Sequence, residues 1–210
     1  MTAAKEMTNP DCRRRKILEE ASQIFLEKGY ERACIDDLIA RVGGSKRTIY
    51  NEFGSKEGLF TAMITQIVDD HARIILKGLD IDEQSGVSLR QAVLDHGRHL
   101  VHVVFAPDVL AFYRTIIAEG QRFPNLAKAF YDAGPARSMK RFAEVLERFR
   151  EKGEIDVDDC DVASQQFAGL IRDGHHLAIL LGLAPPPCAD EMEARAQMAT
   201  DIFLKGVVRS

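Results

Sequence analysis

Gly43-Gly44-Ser45-Lys46-Arg47-Thr48-Ile49-Tyr50-Asn51-Glu52-Phe53-Gly54-Ser55-Lys56-Glu57-Gly58-Leu59-Phe60 is the stretch of this 210-residue chain from which the rest can be read. The glycine pair predicts a tight turn. Ser45 then caps a very short helix with Lys46 and Arg47 in its first turn, Thr48, Tyr50 and Asn51 along it, and Ile49 and Phe53 as apolar pins. So short a helix is not stable alone, because nucleation outweighs its few hydrogen bonds. It must be held by neighbours that leave one face open. Cations, hydroxyls and an amide at a helix N-terminus suit a DNA groove: Arg47 can pair with guanine O6 and N7, Asn51 with adenine N6 and N7, and Tyr50 can lay its ring on sugar or a thymine methyl. Ser45 can also face a phosphate, and Lys56 begins the next helix, where unbonded amides favour the same anion.

The support for that helix is written on both sides of it. Asn9-Pro10 starts a helix whose Ile17, Leu18, Ala21, Ile24 and Phe25 share one face and which ends at Lys28-Gly29. Arg13, Arg14, Arg15 and Lys16 sit near its start, where the helix dipole prefers anions. They are either phosphate contacts or a solvated basic face. A second short helix runs from about Ile35 to Val42, with Asp36 and Asp37 suited to its N-terminus. Helix, short helix, glycine turn and short helix make a helix-turn-helix within a three-helix unit. Ser55 caps a fourth helix whose Leu59, Phe60, Met63, Ile64 and Ile67 close the small core.

Composition is that of an ordinary globular protein, with 46% hydrophobic and 29% charged residues and a net charge of −4. The first 60 residues carry a net +1 and the remainder −5, so the case for DNA rests on where charges stand and not on their total. Cys12, Cys34, Cys160 and Cys188 form no CxxC pair, which argues against a zinc finger and fits a reducing compartment. No secretory signal is evident, and no window approaches the roughly 18 apolar residues of a membrane span. A cytoplasmic protein without a membrane partner is expected.

Cys34 to Phe60 resembles the TetR family of bacterial transcriptional repressors. Ile35, Gly43, Ser45, Thr48, Ile49, Tyr50, Phe53, Ser55, Lys56, Glu57 and Leu59 fall in register with the family pattern. Three positions depart from it. Cys34 stands where a capping Ser or Thr is usual and predicts a weaker cap, Ile39 replaces a small Ala, and Gly44 replaces an apolar residue of the turn. Further on, Arg122-Phe123-Pro124-Asn125-Leu126, Ala129-Phe130-Tyr131, Gly134-Pro135-Ala136-Arg137 and Gln166-Phe167-Ala168-Gly169-Leu170 are similar to AefR-like C-terminal domains of that family. The resemblance places DNA contacts at the residues singled out above, Ser45, Lys46, Arg47, Thr48, Tyr50, Asn51 and Lys56. It implies an all-α chain: residues 1–60 as the helix-turn-helix DNA-binding domain, residues 61–210 as a helical ligand-binding and dimerisation domain.

The rest of the chain reads as helical throughout. A polar loop is expected at residues 80–86, a helix from Ser88 to about Phe105, another from Asp108 to about Gln121, and a helical run from Asn125 to Glu151 interrupted at Gly134-Pro135. An acidic connector follows, then an apolar helix from Val162 to Leu183, a stiff Pro185-Pro186-Pro187 link and a last helix from Asp190 to Val208. Phe167, Ile171, Gly174, Ala178 and Leu181, with Met192, Ala196, Ala199 and Phe203, recur at helical spacing. They are either intrachain core or a dimer interface, and the family implies a homodimer through its last two helices. Aromatic side chains interleaved with polar ones suggest core or a pocket. The resemblance implies a small-molecule effector, with His102, Phe105, Tyr113, Arg114, Ile117, Tyr131, Phe167 and Arg172 as candidate contacts.

His96, His99 and His102 recur every three residues, with Asp95 beside them and His175-His176 later, so a metal-responsive sensor is a further reading. The row drifts around the helix and lacks a companion ligand motif. No nucleophile elbow, phosphate loop or zincin motif occurs, so a helical enzyme has no support beyond its possibility. The expected function is a ligand-released repressor on a palindromic double-stranded DNA operator, with no catalytic residue, metal or cofactor.

Overall fold

The computed structural model describes residues 10–77 and 86–208. The expected tail at residues 1–8, the cap at Asn9 and loop residues 80–85 lie outside them. Ten α-helices occur among the described residues: α1 (Pro10–Arg32), α2 (Ile35–Val42), α3 (Lys46–Phe53), α4 (Lys56–Lys77), α5 (Leu89–Val104), α6 (Pro107–Glu119), α7 (Pro124–Tyr131), α8 (Arg137–Glu151), α9 (Cys160–Leu180) and α10 (Ala189–Val207). They contain no strand beyond a single antiparallel bridge between Ile155 and Val208. The all-α expectation holds.

Helix limits follow local chemistry. α1 bends at Gly29 (φ 74°), where its sequence predicts an end. The Ser88 hydroxyl accepts from the Gln91 amide at 3.3 Å and starts α5. α6 begins at Pro107, so Asp108, expected as its cap, lies in its first turn and bonds to His71 of α4 at 2.9 Å. Gly134 and Pro135 fall in a π-helical turn, Asp132–Ala136, between α7 and α8, a widened turn that accommodates a proline without an amide hydrogen.

The chain falls into two compact units, Met1–Asp69 with Arg114–Ala133 and Asp70–Tyr113 with Gly134–Ser210. In the first, Ile17, Leu18, Ala21, Ile24 and Phe25 of α1 are buried as their periodicity predicts, together with Leu38, Ile49, Leu59, Phe60, Met63 and Ile64. Each such side chain contributes about 1.5–3 kcal/mol on leaving water. Phe60 meets Phe25 and Tyr30 edge-on at 5.0 and 5.1 Å, and Phe123 meets Tyr30 at 4.7 Å. Arg122 pairs with Glu31 at 2.7 Å, so the segment after α6 belongs to the same unit as α1.

The second unit packs α5, α8, α9 and α10 around Phe142, Phe167, Ile171 and Phe203. The Arg98 guanidinium grips the Glu193 carboxylate with Nε and Nη2, at 2.9 and 2.6 Å, and Arg90 reaches Asp201 at 2.7 Å, which fixes α5 against α10. Arg98 holds the Glu193 carboxyl down at about 2. α9 is not the unbroken helix that its composition predicts, because Asp173 has φ 27° and ψ −169° inside it.

Candidate nucleic-acid interface and effector region

α3 owes its existence to its two ends and its two pins. The Ser45 hydroxyl accepts from the Thr48 amide at 3.2 Å and lies 3.0 Å from the Thr48 hydroxyl. At the other end the Gly54 amide donates to the Tyr50 carbonyl at 2.8 Å. Ile49 and Phe53 are buried. The preceding turn needs both glycines, since Gly43 and Gly44 have φ 73° and 98°, where an L side chain is strained. The departure at Gly44 is therefore a different turn geometry and not a hole in the core.

α2 makes up for Cys34 from its other side. The Cys34 amide and thiol both donate to Asp37 Oδ2, at 3.3 and 3.0 Å, while Lys28 lies 2.7 Å from Asp37 Oδ1. These bonds, from Lys28 first, hold the Asp37 carboxyl down at about 2. The expected weak cap is thus replaced by a reciprocal one.

Ser45, Lys46, Arg47, Tyr50 and Asn51 are exposed and Thr48 is half-buried, so the face opposite the two pins is open. Lys46 pairs with Asp36 at 2.8 Å, which raises its pKa. Arg47 and Asn51 make no hydrogen bond or ion pair among the described residues. At the start of α1, Arg14 bonds to Glu52 at 3.1 Å and lies 4.8 Å from the Phe53 ring centre. Arg13 reaches the turn, its Nη2 standing 3.3 Å from where a Cβ on Gly44 would lie. The basic start of α1 therefore flanks α3, a convergence that the run of cations suggested without specifying.

Lys56 does something else. Its ammonium donates to the Glu31 carbonyl at 3.0 Å and lies 4.7 Å from the Tyr30 ring centre. Burial lowers its pKa. Turned into its own unit, it is a clamp on the end of α1, and the expected phosphate contact is withdrawn on that ground.

The eight candidate effector contacts are divided between the two units, five in the second and three in the first. Within the second unit Phe105, Tyr113 and Arg172 come together: the Arg172 guanidinium lies 6.0 Å from the centre of the Tyr113 ring, and Phe105 and Tyr113 both meet the His176 ring edge-on. Burial raises the Tyr113 pKa. His102 is exposed on α5. Phe167 is core, packed on Phe142 and Phe203 at 5.1 and 5.2 Å. Arg114, Ile117 and Tyr131 belong to the first unit, where all three are exposed. His175, His176 and Arg195 complete the cluster around Phe105 and Tyr113, and nothing in the spacing of α10 marks Arg195 for it.

The interface expectation needs the same correction. Phe167, Ile171, Ala196, Ala199 and Phe203 are buried in the protomer's own core, so they have no surface to offer a second copy. Gly174 and Leu181 are exposed, and Ala178 and Met192 half-buried. The faces left open on α9 and α10 carry Val162, Leu177, Leu181, Met198 and Ile202, each large, apolar and exposed. Of the expected interface residues, Leu181 therefore lies on an open face, while Phe167, Ile171, Ala196, Ala199 and Phe203 face inward.

The three α5 histidines point into different surroundings. His96 is buried, the His99 Nδ1 lies 2.6 Å from the Asp95 carbonyl, and His102 is exposed. Among the described residues no three His, Cys, Asp or Glu side chains converge as metal ligands, and no single helix is long and apolar enough to cross a membrane.

Comparison with known proteins agrees with this geometry. Residues 17–63 match the model of bacterial regulatory proteins of the tetR family, and residues 91–206 match the AefR-like transcriptional repressor C-terminal domain. The transcriptional repressor AcnR of Corynebacterium diphtheriae is 37% identical over 150 residues, 71% of this chain and 75% of that protein. The structure of the flavonoid-responsive regulator FrrA superposes with a TM-score of 0.78 at 32% identity, covering 93% of this chain and 97% of the other. A TetR-family regulator from Mesorhizobium loti shares the fold, with a TM-score of 0.80 at 23% identity, over 96% of this chain and 99% of that one. An exposed, capped reading helix in a helix-turn-helix, followed by an AefR-like helical portion, makes this chain a member of the TetR family of DNA-binding transcriptional regulators.

Proposed function

We propose that the protein is a homodimeric repressor that holds a palindromic operator and is released from it by a small-molecule effector. The observation that carries this reading is the open face of α3, where Arg47 and Asn51 have no partner among the described residues while both ends of the helix are capped. Arg47 and Asn51 read bases; Ser45, Lys46, Thr48 and Tyr50 position the helix on sugar and phosphate, and Arg13 adds a phosphate contact beside the turn. The functional division at about residue 60 separates this reader from the effector and dimerisation portion.

Two copies are needed to meet successive major grooves about 34 Å apart. The exposed apolar faces of α9 and α10 support a two-fold pairing through those helices. An effector acts only if it binds the DNA-competent state and the released state with different affinities. The flavonoid response named for FrrA supports a small-molecule signal here too. Operator binding places the protein in the cytoplasm.

A gel-shift titration on the DNA upstream of the protein's own gene tests the reading. A discrete complex at modest salt, weakened by at least one compound from a panel of metabolites and drugs, is expected. Lack of any specific complex contradicts the repressor, and a complex that no compound weakens contradicts the effector.

A further inference from the structure

α9 breaks at Asp173, the one described residue other than glycine with a positive φ. The break is held by the Asp173 carboxylate, which accepts from the His175 amide at 2.8 Å and the His176 amide at 3.4 Å and pairs with Arg195 of α10. Arg172 and His176, on either side of the break, both approach Tyr113. The His176 ring meets Phe105 at 5.5 Å and Tyr113 at 5.6 Å, both edge-on. The Arg172 guanidinium lies 6.0 Å from the centre of Tyr113, and that of Arg195 lies 5.2 Å from the centre of Phe105. All these residues belong to the second unit.

Polar partnering in this cluster is lopsided. The buried side-chain nitrogens and oxygens that lack a hydrogen-bond partner among the described residues are four, and three of them are here: Arg172 Nε, Arg195 Nε and His176 Nε2. His176 is 5% exposed, and its other hydrogen bond goes to the Val104 carbonyl. Buried polar groups are nearly always partnered in folded proteins, so the two guanidinium N–H donors call for an acceptor, whereas His176 Nε2, on a ring whose other nitrogen donates to the Val104 carbonyl, is itself an acceptor. The Arg195 guanidinium faces the Asp173 carboxylate, and Glu191 also lies within the electrostatic reach of Arg195. With two carboxylates already present the cluster does not suit a phosphate dianion, the two unbonded guanidinium N–H groups suit a monoanionic acceptor, and the flanking rings suit a flat apolar body.

We infer that the cluster around the α9 break binds a small aromatic carboxylate, with Arg172 and Arg195 donating to its oxygens and its ring lying against Phe105 and Tyr113. The inference rests on the effector reading for its regulatory meaning; the binding chemistry is local to the second unit.

Calorimetric titration of the full-length protein without DNA tests it, using benzoate, cinnamate and 1-naphthoate with their matched neutral amides. At least one acid binds, its amide binds at least tenfold more weakly, and Arg172→Gln costs the acid at least tenfold while leaving the melting temperature in place. Arg172→Lys, which keeps the charge and loses the Nε–H, recovers only part of that loss. Absence of binding by all three acids, equal binding of acids and amides, or indifference to Arg172→Gln overturns the inference. Operator release by a neutral compound on wild type and Arg172→Gln alike would overturn it and spare the effector reading. Arg172-dependent acid binding that never releases DNA would do the reverse.

Discussion

His96 is stacked on Phe142 at 4.1 Å and wholly enclosed, and burial pushes its pKa down to about 3. In the unfolded chain the ring takes up a proton below about pH 6.5. Between pH 6.5 and 3 the unfolded state therefore binds the extra proton, and stability falls as the pH falls through that window. His96→Leu removes this loss. Relative to their offset at pH 7.5, the variant is expected to gain about 2–3 kcal/mol on wild type at pH 4.5, measured by urea unfolding. Parallel pH profiles would contradict a buried neutral His96. Arg47 and Lys56 also separate at this scale. Arg47→Ala is expected to cost about 1–3 kcal/mol on the cognate operator and to relax preference at one base pair, with no change in melting temperature. Lys56→Ala is expected to cost about 1 kcal/mol of folding stability, because it removes the bond to the Glu31 carbonyl and the contact with Tyr30. The sequence shows both as cations near the reading helix; only the fold shows that one of them points inward.

At the scale of elements, the helix-turn-helix was almost fully legible and the cluster around the α9 break was not. The glycine turn, the Ser45 cap and the pins Ile49 and Phe53 are local signals, each with its physical cause within a few residues. The Asp37 bond that rescues the Cys34 cap is also local, and a carboxylate three residues beyond a cap position could have disclosed it. The break in α9 is only partly local, since the Asp173 carboxylate bonds to the His175 and His176 amides but also to Arg195, 22 residues away. One close approach in the reader was equally hidden. A Cβ on Gly58 would stand 2.0 Å from the Phe53 carbonyl oxygen, so the start of α4 lies too near the end of α3 for any side chain. Gly58→Ala is expected to cost at least about 2 kcal/mol of stability and to weaken operator binding, because α3 must shift. An unchanged melting temperature would show that this packing is not needed.

At the scale of the whole molecule, periodicity marks stripes on α9 and α10 but does not separate their buried positions from their exposed ones. Apolar residues at helical spacing mark both the inner face and the outer face of α9 and α10, and sequence periodicity alone cannot tell which face a second copy covers. Leu177, Leu181, Met198 and Ile202 are the outer residues. Leu177→Glu combined with Ile202→Glu is expected to leave a folded monomer in sedimentation velocity and to weaken operator binding at least a hundredfold, since each half-site is then bound alone. A double variant that still sediments as a dimer would place the interface elsewhere.

The central claim is that the open face of α3 reads a specific operator, and fluorescence anisotropy with wild type and Arg47→Ala on the native upstream DNA and a scrambled duplex tests it most directly. Wild type is expected to bind the native duplex far more tightly than the scrambled one, with affinity falling steeply as salt rises, and Arg47→Ala to lose about 1–3 kcal/mol on the native duplex alone. Equal binding of both duplexes by wild type, or an Arg47→Ala protein that discriminates between them as well as wild type does, would contradict it.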